Sequence, residues 1–457
     1  MSFSGELSAE QQAMFDFLEK ENDHVFVTGR AGTGKSTLLA YFVDRTDKKV
    51  AVVAPTGVAA YNVGGQTIHS FFGLPPGVLG NQPVAKHLKP RVREILRTLD
   101  TLVIDEISMV SADLLDAIDT ALRAARGKTK GPFGGVQIVM FGDPYQLPPI
   151  AVRPEQDGYE FVQETYRSQW FFDAKVWSET KLLRYELHEN FRQKDDKFIE
   201  ILNAIREGKP TQEMLDFLNQ AGNRYPENED AIRLTGRNER VNTYNHNRLS
   251  NIDEPPHNFR ASIPVGELKD FGKQAPADEL LSLKVGAQVM FIKNDDQNTV
   301  KGETGMVRRW VNGTIGHVSK VVNPEHVKVT VDDETFDVYP STWERIRYQL
   351  DEEFDDVTGR VKEVLVPEVL AEFRQFPLRL AWSVTVHKSQ GMTYDEAVIE
   401  LGGTAFAEGQ LYVALSRVRS LEGLYLTHPI QMKDVRVDES VKRFMSEAEP
   451  PRYQGLF

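Results

Sequence analysis

The residues best suited to chemistry form an eight-residue stretch near the start of the chain, Gly29–Ser36, with the sequence Gly-Arg-Ala-Gly-Thr-Gly-Lys-Ser. It fits the pattern G-x-x-x-x-G-K-[ST], in which glycines let backbone N–H groups turn toward phosphate oxygens. An apolar run precedes it and a helical pattern begins at Lys35, which is the context that the motif requires. The pattern predicts that Lys35 reaches the β- and γ-phosphates of a nucleoside triphosphate and that Ser36 binds Mg²⁺.

Three further polar residues follow apolar runs in the same part of the chain. Asp105 and Glu106 come directly after Thr101–Ile104, and Gln146 follows Val136–Phe141 within Gly-Asp-Pro-Tyr-Gln. Asp105 can hold Mg²⁺, Glu106 can polarise the attacking water, and Gln146 can sense the γ-phosphate. Alone, the Asp-Glu stretch is equally consistent with an ordinary strand end, and the phosphate-binding motif upstream favours its catalytic interpretation. For Gln146 a proline-containing surface turn stays open as the alternative.

Two arginines beyond this region are candidates for a role in phosphoryl transfer. Arg192 lies in Asn-Phe-Arg and Arg417 in Leu-Ser-Arg. The later part of the chain has no phosphate-binding motif of its own, so its arginines can serve as fingers on the γ-phosphate if it faces the first part across a cleft. Without that arrangement, an arginine in a helix is an ordinary surface residue.

The elements that must position these residues alternate between strand and helix, which is typical of a parallel sheet. Because the carboxyl ends of parallel strands share one edge, the polar strand ends describe a single site. Strands are expected at Val25–Thr28, Val50–Ala54, Thr101–Ile104 and Val136–Phe141. Helices are expected at Ala9–Glu21, Lys35–Thr46, Ala112–Arg126 and Phe198–Glu207.

A second α/β pattern follows, interrupted by short β-rich pieces between about residues 255 and 374. Its apolar runs lie at Ala231–Thr235, Ala397–Leu401 and Leu424–Thr427, and Trp310–Thr314 predicts a hairpin with an Asn-Gly turn. The β-rich part predicts a small inserted barrel. Phe71–Lys89 contains several prolines and glycines and predicts a loop or a small excursion from the first domain.

Composition narrows the class of protein. The 457 residues carry a formal net charge of −13, 40% hydrophobic residues and no cysteine. Disulfides, thiolate metal sites and cysteine nucleophiles are thereby excluded. The first residues have no pattern of a secretory signal, and the apolar runs fall short of the roughly 18 residues that cross a bilayer. An intracellular protein of about three domains is expected.

Taken in order, further stretches resemble the motifs of the Pif family of superfamily 1 DNA helicases, the 5′→3′ group that also includes Dda and RecD. The resemblance spans about Leu7 to Leu424. The stretches that carry it are Leu7–Gln11, Ala54–Ala60, Thr67–Phe72, Asp105–Arg126, Pro132–Gly135, Gly142–Pro149, Asn190–Arg192, Val386–Thr393 and Gln410–Val418.

The resemblance implies roles for individual residues. ATP and Mg²⁺ would be the cofactors, with Ser36 and Asp105 on the metal and Lys35, Asp105, Glu106, Gln146, Arg192 and Arg417 in catalysis. Nucleotide contacts would come from Gln11, on the adenine edge, and from Gly29, Gly32, Thr33, Gly34, Lys35, Ser36, Thr37 and Gly391. DNA contacts would come from Pro55, Thr56, His69, Phe72, Thr385, His387 and Lys388. Three residues have alternatives that stay open. Phe72 can instead occupy a core position, and His387 can instead belong to a pair at a helix end. Trp382 can either be buried or stack on a base.

The fold implied is α/β, with two RecA-like P-loop domains built on parallel sheets. The first would cover residues 1–180, with a wedge insertion at about 71–90. The second would combine residues 181–255 and 375–457, and residues 256–374 would form a β-barrel-like insertion in it.

The function implied is ATP-dependent translocation 5′→3′ on single-stranded DNA with unwinding of duplex, while quadruplexes and RNA–DNA hybrids stay open as targets. Single-stranded DNA and single-strand/duplex junctions would be the partners of a monomer without membrane contact. A bacterial or phage-encoded, cytoplasmic and nucleoid-associated enzyme is expected. Two alternatives are an ATP-dependent RNA helicase or remodeller and an ATP-gated clamp that binds a strand without unwinding.

Overall fold

The computed structural model describes residues 7–75, 77–80, 84, 88–127, 131–271, 275–295, 299–302, 305–355, 360–400 and 407–447. The chain divides into two compact units. The first unit draws on Met1–Phe191, Ile346–Val369 and Val437–Phe457, and the second on Arg192–Arg345 and Leu370–Arg436. No helix in these described ranges is both long enough and apolar enough to cross a membrane.

The α-helices are α1 Ala9–Lys20, α2 Lys35–Arg45, α3 Gly57–Asn62, α4 Ile68–Phe72, α5 Pro90–Thr98, α6 Ala112–Arg126, α7 Tyr159–Thr165, α8 Lys175–Glu179, α9 Asp196–Glu207, α10 Gln212–Gly222, α11 Asn238–Ser250, α12 Gln410–Leu415 and α13 Glu439–Ser446. Short 3₁₀ turns occur at Ile107–Met109, Pro132–Gly135, Phe171–Asp173, Leu268–Phe271, Leu421–Gly423 and Met432–Asp434.

The strands are β1 His24–Gly29, β2 Val50–Ala54, β3 Gln66–Thr67, β4 Thr101–Ile104, β5 Gln137–Phe141, β6 Leu182–Leu187, β7 Ile232–Thr235, β8 His257–Arg260, β9 Ser262–Val265, β10 Leu280–Leu283, β11 Gln288–Phe291, β12 Thr299–Gly302, β13 Gly305–Arg308, β14 Ile315–Asn323, β15 His326–Val331, β16 Glu334–Val338, β17 Ser341–Asp355, β18 Arg360–Gln375, β19 Leu378–Leu380, β20 Ser383–Thr385, β21 Ala397–Glu400 and β22 Leu424–Leu426.

The first unit is built on a six-stranded parallel sheet in the order β3-β2-β4-β5-β1-β6. Successive side chains of a strand point to opposite faces, and here both faces are covered. In β4, Leu102 and Ile104 belong to one hydrophobic cluster and Val103 to the other. The four predicted strands and the predicted helices of this unit are confirmed, with ends that differ by at most one residue.

Local sequence signals explain where the helices of the first unit begin. Ser8 and Gln11 form a capping box at the start of α1, since each side chain binds the other residue's backbone N–H. Ser111 caps α6 by accepting from the N–H of Leu114. The buried residues of α6 recur at helical spacing, which packs this helix against the sheet.

The first unit also contains segments that the sequence analysis assigned to the second domain. β6 pairs with β1 along its whole length, so the sheet extends to Leu187 rather than ending near residue 180. The helix α13 returns to this unit, where Phe444 stacks on Phe172 with ring centroids 4.2 Å apart. Trp170 also donates from Nε1 to Asp438 at 2.7 Å. The contacts of Phe444 and Asp438 join residues more than 260 positions apart, a separation that no local pattern reports.

The second unit contains a parallel sheet in the order β20-β7-β21-β22. Its strands β7, β21 and β22 confirm the predicted second α/β pattern, and β20 was not predicted. The predicted two α/β units with parallel sheets are therefore present, while the predicted domain boundaries differ in detail from the two compact units.

The β-rich insertion contains a five-stranded antiparallel sheet in the order β16-β15-β14-β11-β19, beside the smaller ladders β10-β8, β12-β13 and β17-β18-β9. Over the described residues this order is open at both ends, so the ladders do not close into a barrel. The Asn-Gly turn is present, with Gly313 at φ 97° and the N–H of Thr314 donating to Val311 O. The predicted hairpin around it is wrong, because β13 pairs with β12 whereas β14 pairs with β11 and β15.

Residues Ile346–Val369 of the long strands β17 and β18 belong to the first unit, although they fall within the predicted insertion. The hydroxyl of Tyr348 accepts the N–H of Val52 at 3.3 Å, beside the short edge strand β3. The predicted wedge at about 71–90 is described at residues 71–75, 77–80, 84 and 88–90, and its other residues lie outside the described ranges.

Candidate nucleotide and nucleic-acid sites

The predicted phosphate-binding loop connects β1 to α2. Gly32 and Gly34 have φ of 87° and 76°, in the left-handed region that suits glycine. Gly34 caps α2, so the N-terminus of this helix lies at the end of the loop, as a phosphate site requires. The Lys35 ammonium donates to the carbonyls of Gly29 at 2.7 Å and Arg30 at 3.0 Å. Lys35 is thus held over the loop.

Gln11 lies against this loop, as the resemblance implied. Its side chain is 3% exposed and donates from Nε2 to the carbonyl of Gly34 at 3.2 Å, while its Oε1 accepts from the N–H of Ser8. A Cβ added to Gly34 would collide with this amide nitrogen. Gln11 and Gly34 therefore fix each other's positions, and contact with an adenine edge stays a prediction.

Asp105 and Glu106 follow β4, two strands from the phosphate-binding loop in the sheet order. The N–H of Glu106 donates to Asp105 Oδ1 at 2.9 Å. Although the residue keeps some solvent contact, burial of the carboxyl group raises the pKa of Asp105 to about 6, opposed by that N–H and by the charge of Lys35. Glu106 has φ 50° and ψ 45°, a strained conformation for this residue type and one that clusters at functional sites.

The loop after β5 holds Gln146 in a buried position. Gln146 is 8% exposed and donates from Nε2 to Asp143 Oδ2 at 3.3 Å. Asp143 is 1% exposed and also accepts the N–H of Tyr145 at 3.2 Å. Asp143 orients Gln146, a role that the sequence analysis did not assign, although a carboxylate at a strand end was the available signal.

The loops after β2 and β3 carry three of the predicted DNA contacts. Thr56 caps α3 by accepting from the N–H of Ala59, and Pro55 precedes it. His69 lies in α4, and burial lowers the pKa of its imidazole, so the ring is neutral at neutral pH. These residues are half-buried and line one cavity, whereas their contact with DNA stays a prediction.

Phe72 occupies a core position, the alternative that the sequence left open, and its contact with DNA stays a prediction. Its side chain is 1% exposed in the hydrophobic cluster of the first unit and meets Phe71 edge to face, with ring centroids 4.9 Å apart. The helix α4 presents this position to the sheet. The enclosed ring offers little surface for base stacking, which favours the core interpretation.

In the second unit, Arg192 and Arg417 lie together around residues 389–392. Arg417 is 1% exposed and donates to the carbonyls of Val413 at 2.9 Å and Met392 at 3.2 Å. Arg192 donates to the carbonyl of Ser416 at 3.1 Å, with a longer contact of 3.4 Å to that of Gly391. Burial and then the charge of Arg417 lower the pKa of Arg192 to about 9.

Arg192 and Arg417 differ in how far their side chains are buried. Arg417 is enclosed and holds the loop that carries Gly391, so a phosphate contact by Arg417 requires some of these hydrogen bonds to be exchanged. Arg192 is half-buried, and its hydrogen bonds include those to the carbonyls of Ser416 and Gly391. The predicted finger role therefore fits the exposure of Arg192 better than that of Arg417, and for both it stays a prediction.

The remaining predicted DNA contacts lie at the end of β20 and directly after it in the second unit. His387 and Lys388 are exposed, whereas Thr385 is 4% exposed and accepts the N–H of Lys388 at 3.3 Å. Thr385 therefore positions this turn from within. Trp382 is 3% exposed and donates from Nε1 to Asp230 at 2.9 Å, which decides between the two open interpretations in favour of burial.

The donors near the phosphate-binding loop suit a hard divalent cation. Ser36 offers an exposed hydroxyl at the start of α2, and Asp105 offers a carboxylate whose ionised form burial disfavours, so that its pKa is raised. Within the described ranges no group of three or more His, Asp or Glu side chains forms a metal cage. Mg²⁺ commonly binds through one or two protein oxygens together with substrate phosphates, which this donor set fits.

Comparisons with known proteins agree with this geometry. A family model described as PIF1-like helicase matches residues 6–215. A Bdellovibrio bacteriovorus protein named ATP-dependent DNA helicase Pif1 is 33% identical over 97% of this chain and 92% of its own length. The human ATP-dependent DNA helicase PIF1 is 35% identical over 99% of this chain, which spans 65% of the human protein.

Solved structures give the same result and confirm the predicted fold of two RecA-like domains. Bacteroides Pif1 in complex with ADP-AlF4 aligns with a TM-score of 0.84 at 35% identity over 97% of both chains. Bacteroides Pif1 bound to single-stranded DNA aligns with a TM-score of 0.66 at 35% identity over 97% of this chain and 96% of that one. The chain belongs to the PIF1-like helicase family.

Proposed function

We infer that this chain is an ATP-dependent DNA helicase that moves 5′→3′ along single-stranded DNA and opens duplex at single-strand/duplex junctions. The observation that carries the inference is the joint presence, on one sheet edge, of a phosphate-binding loop with its lysine after β1 and of an Asp-Glu pair after β4, two strands away. Relatives named as DNA helicases and solved in complex with single-stranded DNA support the choice of substrate.

The residues of the first unit divide the work of hydrolysis. Lys35 would leave the carbonyls of Gly29 and Arg30 for the β- and γ-phosphates, because an ammonium interacts more strongly with anionic oxygens than with neutral carbonyls. Ser36 and Asp105 would hold Mg²⁺, which supplies charge neutralisation for the triphosphate. Glu106 would orient and deprotonate the attacking water, and Gln146 would sense its position.

The second unit would supply positive charge to the transition state. Arg192 is the better candidate for the finger because its side chain is half-buried, whereas that of Arg417 is enclosed. Loss of the γ-phosphate removes a contact that stabilises the closed arrangement, so each hydrolysis shifts the population toward the open one. The DNA strand would be held on the first unit by Pro55 and Thr56 and on the second unit by His387 and Lys388. With contacts on both units, the population shift would move the protein along the strand.

The direction of movement, the preference for junctions and a monomeric active form are parts of this proposal that the resemblance supports. Another solved structure that aligns with this chain is described as the structural basis for unwinding at forked duplex DNA by two coordinating Pif1 helicases. Counting active molecules per fork by titration against a junction substrate tests the monomer assignment for this chain.

The central test compares ATP hydrolysis and strand displacement in one buffer. Oligothymidine is expected to raise the ATPase rate several-fold, and the enzyme is expected to displace the partner strand from a 5′-tailed duplex and not from a 3′-tailed one. Lys35→Ala should abolish both activities, and Glu106→Gln should keep DNA binding while losing turnover.

The outcomes separate the three candidate functions. A wild-type protein that binds DNA as Glu106→Gln does, without displacing a strand, is an ATP-gated clamp. Stronger stimulation by oligouridine RNA than by DNA of the same length would assign the chain to RNA remodelling. Displacement from the 3′-tailed duplex alone would refute the assigned direction.

A further inference from the structure

The Asn-Gly turn of the insertion, residues 310–314, is fixed to strand β11 of the same unit. The N–H of Gly313 donates to the carbonyl of Phe291 at 2.8 Å, and the N–H of Phe291 donates to the carbonyl of Thr314 at 2.9 Å. The ring of Trp310 stacks on that of Phe291, with ring centroids 4.3 Å apart. Backbone hydrogen bonds and ring packing together make the turn and β11 one rigid body.

The tip of this turn lies against Met392, in the segment that joins β20 to β21. Gly313 has φ 97°, and a Cβ added to it would lie 3.1 Å from Met392 Cγ and 3.2 Å from Met392 Cβ. Both distances are shorter than ordinary van der Waals contact, so a side chain at Gly313 would force Met392 to move. Met392 is 8% exposed, and its unbranched thioether fills the space beside the backbone of the turn.

Tyr394 contacts the same methionine through its hydroxyl group. The hydroxyl donates to the sulfur of Met392 at 3.1 Å and lies 3.7 Å from the sulfur of Met290, a buried residue of β11. Burial raises the pKa of this hydroxyl, although the charge of Arg417 opposes the shift, so the group stays protonated and donates. The side chain of Met392 is therefore held by the insertion and by a buried tyrosine at once.

The backbone of this segment holds Arg417. The guanidinium of Arg417 donates to the carbonyl of Met392 at 3.2 Å, and the N–H of Tyr394 donates to the carbonyl of Arg417 at 2.8 Å. Gly391, a predicted nucleotide contact, directly precedes Met392. Because packed interiors transmit strain, a displacement of the Met392 side chain also displaces the carbonyl that binds Arg417.

We propose that Met392 is a positioning residue for ATP hydrolysis, whose side chain is placed by the turn at Gly313 and whose carbonyl places the guanidinium of Arg417. The proposal rests on the proposed function, because it takes Gly391 and Arg417 as parts of the nucleotide site. Through these contacts the insertion influences the rate of hydrolysis by packing. A residue that only filled the core would affect stability and leave the turnover of the folded protein unchanged.

The first experiment is a double-variant cycle on ATP hydrolysis by the full-length chain with saturating oligothymidine. Gly313→Ala places a methyl group against Met392. It should lower kcat by about 5- to 50-fold, within the range of coupling between contacting residues, and change KM for ATP little. Met392→Ala should also lower kcat. Adding Gly313→Ala to Met392→Ala should have little further effect, because the added methyl group then has room.

Two further variants separate the contact from backbone strain and from loss of volume. Gly286→Ala is the matched control, since Gly286 lies in the same insertion at φ 86° and a Cβ there would meet nothing closer than Ile252 Cγ2 at 4.0 Å. This substitution imposes similar strain and should leave kcat unchanged. Met392→Leu nearly conserves the volume of the side chain and should keep kcat within about threefold of the wild type.

A second measurement needs neither DNA nor turnover. ADP with aluminium fluoride imitates the transition state of phosphoryl transfer, and ADP alone does not. If Gly313→Ala displaces Arg417, it should weaken binding of ADP with aluminium fluoride and leave the affinity for ADP alone unchanged. Urea unfolding of each variant reports stability separately.

Three results would overturn the proposal. Gly313→Ala and Gly286→Ala could lower kcat equally, which would assign the effect to backbone strain. Gly313→Ala could lower kcat by the same factor with and without Met392→Ala, which would exclude transmission through this side chain. Met392→Ala could lower stability while kcat and the affinity for ADP with aluminium fluoride stay normal, which would make Met392 a core residue only. A wild type that hydrolyses ATP without displacing a strand would refute the proposed function, and the cycle would still decide the role of Met392.

Discussion

Replacing Asp105 by Asn should make the protein more stable and inactive at the same time. The carboxyl group is buried, and its pKa is raised from 3.8 to about 6. Ionisation of this group at neutral pH therefore opposes folding. Asn keeps the shape and keeps an oxygen that can accept the N–H of Glu106, the hydrogen bond seen at 2.9 Å. The substitution removes the buried charge together with a ligand for Mg²⁺.

The magnitude follows from the pKa. A shift of about two pKa units corresponds to about 3 kcal/mol, and the solvent contact that Asp105 retains reduces this to about 2 kcal/mol. Between pH 3.8 and 6 the folded state binds more protons than the unfolded state, so the stability of the wild type falls as the pH rises through this window. The advantage of Asp105→Asn is therefore complete above pH 6, about half as large at pH 5, and absent below pH 3.8.

Urea unfolding of the nucleotide-free protein at pH 7.5 and pH 5.0 measures this advantage, and a coupled assay measures ATP hydrolysis. Asp47→Asn is the control, because Asp47 is exposed in the same unit and its replacement should change neither quantity. Two results would refute the conclusion that ionised Asp105 destabilises the folded state. One is a variant that is no more stable than the wild type at pH 7.5, and the other is a gain in unfolding free energy that is as large at pH 5.0 as at pH 7.5.

Three other substitutions probe separate parts of the structure. Gly34→Ala should weaken binding of a fluorescent ATP analogue at least tenfold, because φ of 76° and the adjacent Gln11 amide disfavour a Cβ there. Arg417→Lys should lower both the ATPase rate and the free energy of unfolding, the latter by about 1–3 kcal/mol. The reason is that a lysine ammonium cannot replace the forked guanidinium group that binds several carbonyls. Tyr348→Phe should destabilise the first unit by about 1–3 kcal/mol and speed hydrogen exchange at the Val52 amide, which loses its acceptor.

Each of these has a clear contrary result. Unchanged nucleotide affinity in Gly34→Ala would show that the loop relaxes without cost. An Arg417→Lys protein with normal stability and no ATPase would make Arg417 a direct phosphate ligand rather than the holder of residues 389–392. Unchanged exchange at Val52 in Tyr348→Phe would mean that another group accepts this N–H.

Sequence alone identified the parts of the nucleotide site that depend on short-range order. The loop Gly29–Ser36 owes its shape to glycines and to the helix that follows within the same stretch, and its context was visible in neighbouring residues. The strands before Asp105 and Gln146 are visible in the sequence as apolar runs. Because the carboxyl ends of parallel strands share one edge of the sheet, these two residues could be predicted to lie at the same site. The family resemblance added the fold of the second unit, which has no such loop of its own.

Tertiary structure decided what depends on contacts between distant residues. Phe72 is a core residue because α4 turns it toward the sheet, and Arg417 is enclosed because helix α12 and residues 389–392 surround it. Strand β6 and helix α13 join the first unit through pairing and aromatic packing that no local pattern encodes. The bond from Val52 to Tyr348 spans 296 positions. Side chains of one type have many possible partners at such separations, and only the folded chain selects among them.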